Sequence, residues 1–84
     1  MGQKEKLTQR LKANPKDFTF EEAESLLQYL GYHRSNKGKT SGSRVIFISE
    51  EHGSILLHRP HPARELKSYQ VQQLRKVLEE EGLI

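Results

Sequence analysis

The sequence has no cysteine, which removes disulfides and thiolate metal sites and suits a reducing compartment. Aromatics make up only 7% and apolar residues 33%, so any core must be lean. At 84 residues the chain is near the lower size at which a core forms without staples, and one domain is expected. No apolar run approaches a membrane span, and the opening MGQKEKLTQRLK carries no apolar leader segment. Gly2 is not read as a myristoylation site, because Lys6 stands where that signal has Ser or Thr. A cytoplasmic location is expected. The most informative absence is of one sign of charge: no Asp or Glu occurs between Glu24 and Glu50. Arg34, Lys37, Lys39 and Arg44 all fall in that gap, in a chain of net charge +3. A cationic strip of this kind suits a polyanion, nucleic acid above all, although solvated basic loops also occur on proteins that bind none.

What is present is periodic. Leu7 and Leu11 have helical spacing in a first segment, Lys4 to Ala13, which Asn14-Pro15 should end. Thr19 followed by Glu22 forms a capping box, with Glu21, Glu22 and Glu24 at the favourable end of the helix dipole. Phe20, Ala23, Leu26, Leu27 and Leu30 supply the apolar stripe of that helix, and Gly31 stops it. Tyr32 to Asn36 reads as a weak strand, and Arg44 to Ser49 as a strong one because Val45, Ile46, Phe47 and Ile48 are β-branched or aromatic. The turn EEHG leads to a returning strand, Ser54 to His58, which Pro60 and Pro62 end. Ser68 is the expected cap of a last helix, Tyr69 to Glu81, with Val71, Leu74, Val77 and Leu78 facing the core and Gly82 as its stop. Short connections make the strands an antiparallel meander covered by helices. The predicted fold is therefore α+β and two-layered, with element order α-α-β-β-β-α.

The ordered set of a helix ending in Gly31-Tyr32, a basic loop, GSRVIF, a glycine turn, a proline–histidine segment and ELKSYQVQQLRKVLEEEGLI resembles the HicA family of toxins. The likeness runs over residues 19–84, leaving 1–16 as an N-terminal helical extension. It implies a fold similar to the double-stranded-RNA-binding domain, an mRNA-cleaving endoribonuclease activity (an mRNA interferase), and a HicB-type antitoxin as partner. In the HicA pattern the basic loop ends Gly-Ser-His, and the histidine carries the cleavage chemistry. This chain has Gly42-Ser43-Arg44.

Metal-free RNA cleavage needs a base for the 2′-hydroxyl proton and stabilisation of charge on the phosphorane. Arginine stays protonated, so Arg44 suits the second task and not the first. His33, on the strand before the basic loop and expected opposite a residue near Phe47, is the candidate substitute base; the alternative is a partly packed histidine. His52 is expected to be a solvated turn residue. Arg34, Lys37, Lys39, Ser43, Arg44, Arg59, Arg64, Lys67 and Tyr69 form the candidate RNA-binding set, in two zones: the loop 37–44 and the helix start 64–69. Tyr69 either stacks on a base or packs on its helix. His58 and His61 make an i, i+3 pair without an evident third ligand, so no metal is expected, and no cofactor. Gly38-Lys39-Thr40 lacks the earlier glycine of a nucleotide loop, since position 33 is histidine. Glu79, Glu80 and Glu81 crowd the unfavourable end of the last helix without a stabilising partner in the sequence. Three functional readings stand: a cleaving toxin, a non-catalytic RNA-binding module on the same fold, and a domain whose basic surface meets an acidic protein.

Overall fold

A computed structural model describes residues 2–35, 44–60 and 63–84. Within them the order is α1 (Gln3–Lys12), α2 (Phe20–Tyr29), β1 (His33–Arg34), β2 (Arg44–Ser49), β3 (Gly53–His58) and α3 (Ser68–Glu80). The strands form one antiparallel sheet in the order β1-β2-β3. This is the α+β arrangement expected.

The local signals act as read. The Thr19 hydroxyl accepts from the Glu22 N–H at 3.1 Å, and the Glu22 carboxylate accepts from the Thr19 N–H, closing the capping box of α2. Gly31 ends α2 with φ +96, a conformation that side-chain-bearing residues rarely adopt. Gly82, at φ +73, ends α3, and the Leu83 N–H turns back onto the Leu78 carbonyl at 2.9 Å.

Alternation along β2 and β3 sends Val45, Phe47, Ile55 and Leu57 inward against the buried stripes of α2 and α3. Leu7 and Leu11 of α1 join the same apolar cluster, so the N-terminal helix is docked on the sheet–helix core. Arg10 Nε holds Glu22 Oε2 at 2.9 Å, and Arg75 Nη1 donates to the Lys12 carbonyl at 3.3 Å, tying α1 to both other helices.

Two expectations shift. The last helix begins at Ser68, with Lys67 at its cap position and no side-chain capping bond. Ser68 is thus inside the first turn, because the chain enters the helix from a strap that already fixes its direction. In that strap the Leu66 N–H donates to the Phe18 carbonyl at 2.8 Å, the Phe20 N–H donates to the Arg64 carbonyl at 3.1 Å, and Thr19 bridges Glu65. Gly53 also belongs to β3, opposite Ser49, leaving three residues in the turn.

Candidate nucleic-acid interface

Arg44 opens β2 and His58 closes β3, and the register makes them cross-strand partners. The His58 N–H donates to Gln70 Oε1 at 3.0 Å, and Gln70 is buried in the first turn of α3. This end of the sheet is therefore pinned to the start of the last helix, where Lys67, Ser68 and Tyr69 are all exposed. Arg59 follows His58 and lays its guanidinium 5.6 Å from the centroid of the Phe20 ring, a cation–π contact that holds it at the start of α2. Arg64 lies beside the same residue through the strap described above. Arg44, His58, Arg59, Arg64 and Lys67 are thus gathered from three segments onto one end of the molecule. No carboxylate forms an ion pair with Arg44, Arg59, Arg64 or Lys67 among the described residues.

The starts of α2 and α3 differ electrically. The first turn of α2 contains Glu21 and Glu22 and is closed by its own box. That of α3 contains no acidic residue and no side-chain cap. Its leading N–H groups keep their partial positive charge for an external anion. A groove of about 410 Å³ runs beside this point between β3 and α3, lined by Leu56, His58, Gln70, Leu74 and Val77 among others.

The rest of the predicted set falls elsewhere. His33 pairs with Ile48, one residue beyond Phe47 and four from Arg44 along β2, about 13 Å at the usual strand rise. It is exposed, and it borders a recess shared with Glu50, Glu51 and His52. Arg34 pairs with Phe47, and its guanidinium lies 3.6 Å from the Glu24 carboxylate. The cause is topological: β1 pairs with the second half of β2, away from the end that carries Arg44. Tyr69 is 52% exposed. Lys37, Lys39, Gly42, Ser43 and His61 lie outside the described residues.

At that far end His52 is not a solvated turn residue. Its Nδ1 lies 3.1 Å from Glu81 Oε1, its ring centroid is 6.3 Å from that of Tyr32, and its side chain is only 21% exposed. Glu81 thereby gains the partner missing from the sequence, and Glu79 pairs with Arg75 one turn earlier. Burial pushes the Tyr32 phenol above its ordinary range, and the Glu81 carboxylate adds to the rise.

A family model described as "HicA toxin of bacterial toxin-antitoxin" matches residues 20–82. The chain belongs to the HicA toxin family. No curated protein and no solved structure matches it. The HicA match begins at the first residue of α2 and ends at the glycine stop of α3, so α1 lies outside it while sharing its core. At the position where the HicA resemblance implies a histidine, Arg44 is the exposed first residue of β2.

Three contributors went unread in the sequence. Phe18 and Leu66 are buried at 0% and 3% exposure, each just before a cap position. An apolar residue before the cap, with Ala23 or Val71 four positions into the helix, is the staple pattern that would have found them. Gln70 as the clamp on His58 carries no sequence signal, since it depends on a contact between residues 12 apart in different elements.

Proposed function

We propose that this HicA-family toxin acts on RNA, through the cationic end of the sheet, as an mRNA-cleaving endoribonuclease restrained by a HicB-type antitoxin. The observation that carries the reading is the gathering of Arg44, Arg59, Arg64 and Lys67 at the end of the sheet where the uncapped α3 begins, none of them in an ion pair among the described residues although Glu65 lies on the same strap. Arg44 offers a planar fork for two phosphate oxygens and balances the charge that builds as a phosphodiester is attacked. Arg59 and Arg64 extend the track along the strap. Lys67 and the α3 N–H groups supply a second phosphate position. Tyr69, exposed beside them, offers a ring face to an unstacked base.

The test is binding and cutting of a labelled single-stranded RNA by the purified protein at several salt concentrations. Affinity should fall steeply with salt, and Arg44→Ala and Lys67→Ala should each reduce the log–log slope by roughly 0.7, the value for one phosphate contact on a single strand. In cells, expression should arrest growth and shorten transcripts, with both effects relieved by the co-expressed antitoxin. Salt-insensitive binding, with RNA left whole, would remove this reading in favour of a protein-facing surface.

The arginine at position 44 favours a second reading, in which the same surface holds RNA and does not cut it. It predicts the same salt dependence and the same slope changes, with intact RNA at every protein concentration.

A further inference from the structure

We infer that His58 is the proton acceptor for RNA cleavage at this surface, working across the β2–β3 ladder from Arg44. The inference rests on the endoribonuclease reading above.

The geometry begins with the kind of pair these residues form. Residues opposite each other in an antiparallel ladder alternate between those that exchange backbone hydrogen bonds and those that do not. The His58 N–H is directed out of the ladder to Gln70, and the Ile46 carbonyl accepts from Ser35 at 2.8 Å, on the β1 side. Arg44–His58 and Ile46–Leu56 are therefore both of the non-bonded kind, in which Cβ atoms stand about 4.5–5.5 Å apart. Val45 and Leu57, the neighbouring pair, face the core, so the Arg44 and His58 side chains share the opposite face of the sheet. A phosphodiester held in the Arg44 fork is then within reach of the His58 imidazole.

The chemistry divides between them. Arginine remains a cation and accepts no proton at working pH. Imidazole is the side chain best suited to take one near neutrality. In the proposed step the His58 ring nitrogen removes the 2′-hydroxyl proton, and the oxygen's freed electron pair forms the bond to phosphorus. The bond from phosphorus to the 5′-oxygen breaks with its pair going to that oxygen. The imidazolium or water then delivers a proton to it, leaving a 2′,3′-cyclic phosphate and a 5′-hydroxyl. Arg44 offsets the charge on the non-bridging oxygens throughout.

The other described histidines are placed for different roles. His33 is about 13 Å along the sheet by strand rise, and His52 is held by Glu81 at the far end. His58 alone among them is clamped beside an arginine that has no ion pair among the described residues, its backbone fixed by a buried glutamine in the first turn of α3.

The experiment uses the full chain and a labelled single-stranded RNA, with wild type, His58→Ala, His58→Gln and His33→Ala compared for cleavage rate, product ends, RNA affinity and melting temperature. We expect wild-type product to carry the cyclic phosphate. Cleavage should drop about 100-fold or more in both His58 variants. RNA affinity should stay within about threefold, because general-base function is separable from phosphate binding. Added imidazole should restore cleavage to His58→Ala. His58→Gln retains a polar side chain of similar length and covers the case in which the alanine variant folds poorly. Cleavage by both His58 variants at near wild-type rates overturns the inference and leaves the endoribonuclease reading standing. So does loss in His33→Ala alone, or an affinity loss as large as the rate loss. A wild-type protein that binds RNA and leaves it intact overturns both.

Discussion

His52 Nδ1 stands 3.1 Å from Glu81 Oε1, joining the turn between β2 and β3 to the residue that closes the last helix. The contact spans 29 residues of sequence and lies at the end of the sheet away from Arg44.

His52→Ala should therefore cost stability and not RNA affinity. One partly exposed hydrogen bond contributes about 0.5–1.5 kcal/mol, and the denaturant midpoint should fall accordingly. The RNA dissociation constant should hold within about twofold, since charge at that distance is largely screened at physiological salt. A large affinity loss in a well-folded His52→Ala protein would contradict the placement of the interface at the other end.

Tyr32 sets an alkaline limit. Its phenol is buried, finds no hydrogen-bond partner among the described residues, and is held above its usual range by burial first and by Glu81 second. A folded pKa raised above the unfolded value means the neutral form is favoured in the fold. Its contribution is full below about pH 10, and is lost as pH rises through the folded value. Urea midpoints measured from about pH 8 to pH 11 should fall less steeply for Tyr32→Phe than for wild type. At neutral pH the variant should be as stable as wild type or slightly more so, because the hydroxyl removed makes no hydrogen bond among the described residues. Parallel alkaline profiles would count against this account.

The N-terminal helix makes the third prediction. Leu11 is fully buried and belongs to the same apolar cluster as Phe47 and Leu74. Leu11→Ala should cost about 2–5 kcal/mol in urea unfolding, with a single cooperative transition preserved. A change below about 0.5 kcal/mol, the size of an ordinary surface substitution, would mean that α1 is a free appendage.

Much of the fold was legible because its signals are local. Thr19 and Glu22 are three residues apart and satisfy each other wherever the helix goes. Val45 to Ile48 favour a strand on their own chemistry. Gly31 and Gly82 occupy positive φ, as their positions after apolar stripes suggested. The site was legible only in halves. Composition named Arg44, Arg59, Arg64 and Lys67, but what joins them is a ladder register and a strap between Phe18–Phe20 and Arg64–Leu66, and neither leaves a trace along the chain. His33 lies where the expected strand pairing put it, opposite Ile48 next to Phe47 and away from Arg44. His52 read as solvated because Glu81, which holds it, is distant in sequence. Ser68 read as a cap because serine favours that position, yet the strap had already set the direction of entry and Lys67 took the place.

Both helices of the family region begin near the arginines and finish near the Glu50–Glu51 turn and Glu81. At α3 the peptide dipole points the same way as the side-chain charge, with Lys67 at its start and Glu79, Glu80 and Glu81 at its end, whereas at α2 the first-turn Glu21 and Glu22 offset the dipole. A helix polarised in this way experiences a torque in the field of a polyanion, which favours turning its Lys67 end forward. On the proposed RNA reading this aims the collision with a transcript, and the orienting should weaken as added salt shortens the reach of the field.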